Sequence, residues 1–151
     1  MKKYLSIILA LVIMFMPFSA FAQDNNTRTE FEYYEDGCYA EIIIEEEPSF
    51  ARSSTKTGTK SVNYCNSNGK ILWTVTVKGT FSYTGNSATC TSSSVSCAIN
   101  DSNWKKYSAA ASKSGRTATG KFVMKCYVLG INTKTVNKTL TLSCSNSGTL
   151  S

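Results

Sequence analysis

The sequence predicts an all-β protein, an antiparallel β-sandwich with a small β-barrel as the alternative architecture, and three observations predict it. The first is a two-residue alternation from Lys70 to Tyr83. Ile71, Trp73, Val75, Val77, Gly79, Phe81 and Tyr83 fall on one side, and Lys70, Thr74, Thr76, Lys78, Thr80 and Ser82 on the other. Successive side chains of a strand point to opposite faces, so the apolar half meets a core and the Lys/Thr half meets water. Leu72 breaks the pattern on the wet side. The second observation is a series of further alternating runs separated by Gly, Asn and Ser turns, and the third is the lack of a convincing helical period.

Taken in order, Met1-Lys2-Lys3 leads into an apolar run from Leu5 to Phe18 and then Ser19-Ala20-Phe21-Ala22. A basic start, a short apolar core and small residues before the cut read as a secretory signal peptide over residues 1–22, cleaved between Ala22 and Gln23. The run is short of the roughly 20 apolar residues that a membrane span needs, so a transmembrane anchor is not expected. No cysteine follows the cut and no apolar tail closes the chain, so a released, extracellular product is expected.

Charge divides what remains. Between Asp24 and Glu47 nine acids face one base, Arg28, whereas from Pro48 onward thirteen Lys and Arg face one acid, Asp101; the whole chain is formally +6. The expected organisation is an acidic arm with its linker over 23–58 and a basic β-sandwich domain over 59–151. The arm is read either as docked on the body and neutralising it, permanently or as a pro-segment removed around Ala51-Arg52-Ser53, or as a solvated leader. Its own pattern favours a hairpin: Phe31–Tyr34, an Asp36-Gly37 turn, then Cys38–Ile44.

A Ser/Thr/Lys/Gly-rich linker is expected from Pro48 to Thr59, followed by an extended Lys60–Cys65 and a turn at Asn66–Gly69. After the central strand, Thr84-Gly85-Asn86 turns into Ala88–Cys90 and then Val95–Ile99, where Val95, Cys97 and Ile99 share a face and Cys97 points inside. Asn100–Asn103 is a turn and Trp104–Ala111 another strand. In the last third Phe122, Met124, Cys126 and Val128 alternate with polar residues, and Val136, Leu140, Leu142 and Cys144 do the same after a turn at Gly130-Ile131-Asn132. Lys138 falls on the apolar side and calls for an edge position. Seven to nine such strands give a sandwich immunoglobulin-like in outline.

Six cysteines, Cys38, Cys65, Cys90, Cys97, Cys126 and Cys144, read as a disulfide framework in an exported chain, with free buried thiols as the alternative. Fifteen pairings are open. There is no Cys-x-x-Cys and no histidine, so the common zinc sets are excluded.

Leu72–Val77, Gly79–Gly85, Ala88–Thr91, Asp101–Trp104, Ser112–Gly115 and Thr139–Cys144 together resemble a family of small secreted proteins of unknown function from clostridia-like Gram-positive bacteria. The resemblance covers most of the chain from about Glu35 onward. It implies export and, as a first pairing, a Cys90–Cys144 disulfide; it implies no activity.

Without histidine, neither a Ser-His-Asp nor a Cys-His device can be assembled, and Asp101 is the sole carboxylate of the basic part. No enzyme and no cofactor are expected. Trp73, on the apolar face, reads as core. Trp104, beside a turn and followed by Lys105-Lys106-Tyr107, is the candidate ligand contact. The basic body suits an anionic cell-wall polymer, a glycan or a membrane surface, and not a specific nucleic acid. The expected function is a secreted non-catalytic interaction module at the cell envelope or a host surface. The alternative is a secreted cationic antimicrobial or membrane-active effector masked by its acidic arm.

Overall fold

The structure, a computed structural model, describes residues 27–48 and 54–151. The expected signal peptide, its expected cleavage bond and Ala51-Arg52-Ser53 lie outside the described residues. Eight strands follow one another: β1 Thr27–Tyr33, β2 Tyr39–Glu46, β3 Thr55–Cys65, β4 Ile71–Tyr83, β5 Ala88–Ile99, β6 Trp104–Ser114, β7 Thr117–Val128 and β8 Ile131–Ser143. They form two antiparallel sheets, β1-β2-β3-β4-β5 and β6-β7-β8, that lie face to face as an open β-sandwich and not a closed barrel. The immunoglobulin-like outline extends to the two layers only. Within each sheet every strand pairs with its sequence neighbour, and the chain changes sheet once, from β5 to β6, so the order is a meander without Greek-key crossings.

The central strand is β4, as its alternation requires. Trp73, Val75, Val77 and Phe81 are fully buried, and the register carries their face across the sheet through Ile42, Val62, Val75 and Cys97. The second sheet answers with Ala118, Phe122 and Met124 of β7 and Leu140 and Leu142 of β8. Trp73 stacks on Tyr64 at 4.9 Å between ring centroids, and Phe122 meets Trp73 edge-on at 5.8 Å. Such pairs add to the burial of large apolar surface. The layers touch closely at Gly120, where a Cβ would stand 2.4 Å from Val77 Cγ2. Leu72, on the wet side of the alternation, is nonetheless buried, because the turn at Asn100–Asp101 folds over it and both backbone amides donate to Leu72 O.

The expected division at residue 59 is corrected. Residue 59 lies in the middle of β3, and β2 pairs with β3 over eight register positions from Tyr39↔Cys65 to Glu46↔Gly58. The hairpin expected from the arm is present, with Gly37 at φ +78° in its turn, but it forms two strands of the main sheet instead of an appendage. The physical reason is burial: Ala40 and Ile44 are core residues, which a solvated arm could not supply. The expected linker shortens accordingly, since Thr55–Thr59 is strand.

Along the open side of the sandwich, β1 and β2 face β8, and charges of opposite sign meet there. Lys134 and Lys138 share the inward face with Cys126 and Phe122, and Lys138 sits on an edge strand as its pattern required. Lys138 donates to Glu32 and Lys134 to Asp36. Within the five-stranded sheet itself, Lys56 donates to Glu46 at 2.6 Å and Lys78 to Glu47 at 2.6 Å. Arg28 donates to the Leu150 carbonyl at 2.7 Å. The Lys134 ammonium also lies 5.2 Å from the Tyr64 ring centroid. Burial raises the Tyr64 phenol to about 12, although nearby Lys134 pulls the other way. Its hydroxyl is buried with no hydrogen-bond partner at bonding geometry among the described residues.

Candidate functional site

Between Trp104 and Ser143 the chain carries eight Lys and Arg and no Asp or Glu. The arm takes up Lys134 and Lys138 on the inner face, Lys106 and Lys113 lie on that same side opposite Met124 and Ala118, and the outer face keeps Lys105, Lys121 and Lys125. There the register sets Lys105 of β6 directly opposite Lys125 of β7. Like charges facing each other across a ladder destabilise it. Two tyrosines temper the repulsion: Lys125 Nζ lies 3.6 Å from the centre of the Tyr107 ring, and Lys105 Nζ lies 5.8 Å from that of Tyr127. A register irregularity between Lys106 and Ser108 makes Tyr107 the extra residue of a bulge, which leaves its ring 68% exposed over the patch. Lys121, exposed, continues the outer row of β7 toward the other end.

This places the expected contact residues unequally. Lys105 and Tyr107 belong to the patch. Lys106 is opposite Met124, on the other side of the strand, and falls away from it. Trp104 is corrected outright: it is 5% exposed and packs edge-on against Tyr64 at 5.4 Å and Trp73 at 5.9 Å, so it is core and not a ligand platform. The turn before it does not expose it, because β6 turns its first side chain inward opposite Cys126. Lys125 and Tyr127 complete the patch and were not singled out from the sequence. Their signal was there, since both fall on the polar side of the alternation that buries Met124 and Cys126.

All six cysteines are free thiols, and the expected Cys90–Cys144 bond is absent, with no pair of cysteines at bonding distance. The two residues nevertheless flank one turn: Cys90 N donates to Gly115 O at 2.7 Å and Cys144 N to Arg116 O at 3.0 Å. Each thiol instead points to a local carbonyl, Cys90 Sγ to Ser92 O at 3.2 Å and Cys144 Sγ to Ser145 O at 3.4 Å. Burial pushes both thiols above their ordinary value. Next to Cys144 a hollow of about 330 Å³ is lined by polar groups of Arg116, Thr117, Ser143, Ser145 and Ser151.

Among the described residues no three His, Cys, Asp or Glu side chains come together as a metal site would need. No described helix is long and apolar enough to cross a membrane, which leaves strand-built crossing untouched. No family model, no curated protein and no solved structure matches this chain.

Proposed function

We propose that the protein is a secreted, non-catalytic interaction module that binds a phosphate-bearing or otherwise anionic surface at the cell envelope or on a host. The observation that carries this reading is the Lys105/Lys125 pair, set face to face under Tyr107 and Tyr127 on a sheet without a single carboxylate. Juxtaposed like charges on an exposed ladder cost stability, and an anionic ligand turns that cost into binding energy. The signal-peptide pattern of residues 1–22 supports export. The test is titration of the purified protein with soluble polyphosphate at several salt concentrations. Binding is expected to weaken steeply as salt rises, and a Lys105→Glu/Lys125→Glu double variant is expected to lose it. Binding that ignores salt, or that survives the double variant, sinks the reading.

The masked-effector alternative has its own support in the Glu32–Lys138 and Asp36–Lys134 pairs. It requires β1 and β2 to come away from a sheet whose core includes Ala40 and Ile44, so the permanent module is preferred. Glu32→Gln/Asp36→Asn keeps the strands and frees both lysines. A gain of growth inhibition in that variant would reinstate the effector.

A further inference from the structure

The turn joining β7 to β8 runs against the preferences of its own geometry. Val128 and Ile131 form the last pair of the ladder, and the two residues between them, Leu129 and Gly130, have φ of +50° and +81°. Positive φ at both central positions is the mark of a type I′ hairpin turn, whose first position favours Asn, Asp or Gly. A leucine there carries backbone strain. Leu129 recovers nothing by burial, for it is 97% exposed, with Val128 at 47% and Ile131 at 68%. Single exposed apolar side chains are ordinary. Three on one hairpin tip, one of them strained, call for a setting other than water.

The patch described above stands at the root of this tip. Tyr127 precedes Val128, its backbone N–H donates to Asn103 O at 2.7 Å, and Lys105 faces Lys125 two positions away. Of the acids in the neighbouring loops, Asp36 is engaged by Lys134 and Asp101 by Lys70 at 3.5 Å, while Glu35 stands exposed beside Asp36. From tip to body the order is therefore apolar side chains, then Tyr127, then the Lys105/Lys125 pair with Tyr107 beyond it, and the first three match the acyl, glycerol-ester and phosphate levels of a lipid interface. A soluble anionic polymer would use the lysines and leave Leu129 in water. A second copy of the chain on this patch would bring lysine against lysine.

We propose that the Leu129-Gly130 tip inserts into the surface of an anionic phospholipid bilayer while Lys105 and Lys125 contact its phosphates. This rests on the reading of the basic face as an anion-binding surface and names that surface. The experiment compares the wild-type chain with Leu129→Asn, in sedimentation with phosphatidylcholine/phosphatidylglycerol vesicles and in titration with polyphosphate. Leu129→Asn restores the Asn-Gly pair that the turn favours, so its thermal midpoint is expected to rise, which also shows that it folds. Its vesicle partitioning is expected to fall about tenfold, the loss of one inserted aliphatic side chain, with polyphosphate binding unchanged. Equal partitioning of variant and wild type, or polyphosphate binding by a wild-type chain that ignores vesicles, overturns insertion and leaves the anion-binding reading standing. Failure to bind either probe overturns both.

Discussion

The two sheets solve the same packing problem with opposite surfaces. The five-stranded sheet and its connections hold every carboxylate among the described residues, and β2–β4 add a ladder of polar pairs on the outer face, such as Asn63 to Glu41 at 3.0 Å and Ser61 to Thr76 at 2.9 Å. The three-stranded sheet holds lysines and no acid. Where the sheets meet along β1, β2 and β8 the imbalance cancels in ion pairs; on the far side of β6 and β7 it does not. Charge that a fold could have neutralised and leaves standing, next to Tyr107 and Tyr127, is what the proposed anion-binding reading rests on.

The strongest way to break the comparison is to remove the acidic strands. Deleting residues 23–52 takes away β1 and β2 and uncovers Val62 and Tyr64, and the expected result is loss of the cooperative unfolding transition in urea, measured by circular dichroism. A chain that still unfolds cooperatively would return the arm to the status of an appendage. Next in size is the contact between the sheets. Trp73→Ala removes the ring that meets Tyr64, Trp104 and Phe122, and is expected to cost about 3–5 kcal/mol in denaturant unfolding.

The seam of ion pairs gives a smaller effect with a defined pH dependence. The hydrogen bond from Lys134 holds the Asp36 carboxyl below its usual range. Burial pulls Lys134 down, but its bond to Asp36 and the proximity of Tyr64 raise it above its ordinary value overall. The depressed carboxylate contributes stability above an ordinary pKa of about 4 and loses it as pH falls through its folded value. The raised lysine contributes below about 10.4 and loses it as pH rises through its own. Asp36→Asn is therefore expected to be less stable than wild type by under about 1 kcal/mol near neutrality, and the gap should close in acid. A gap that persists at the lowest pH at which both variants fold would show that the pair is not its source. The smallest effect sharpens the comparison on the basic side: Lys121→Ala, at the far end of the patch, should reduce the salt dependence of polyphosphate binding by about one counterion while leaving stability unchanged.

Much of the fold was legible because strand alternation is a local property. Ile71–Tyr83, the hairpin about Asp36-Gly37 and the two last strands each declare their buried side within a few residues, so the all-β class and the core of Trp73, Val75, Val77, Phe122 and Met124 follow from the chain itself. Charge segregation was equally plain. Where two strands face each other, however, only register decides: whether Trp104 looks in or out turns on its position opposite Cys126, and whether Lys125 joins Lys105 turns on pairing across twenty residues. The arm's place in the sheet, the seam of ion pairs and the grouping of Tyr107 and Tyr127 with Lys105 and Lys125 likewise arise from residues far apart in sequence. A side chain's period comes from its own backbone, whereas its neighbours are set by the burial of the whole sandwich, which is why the sequence determined the elements and the tertiary structure alone decided the site.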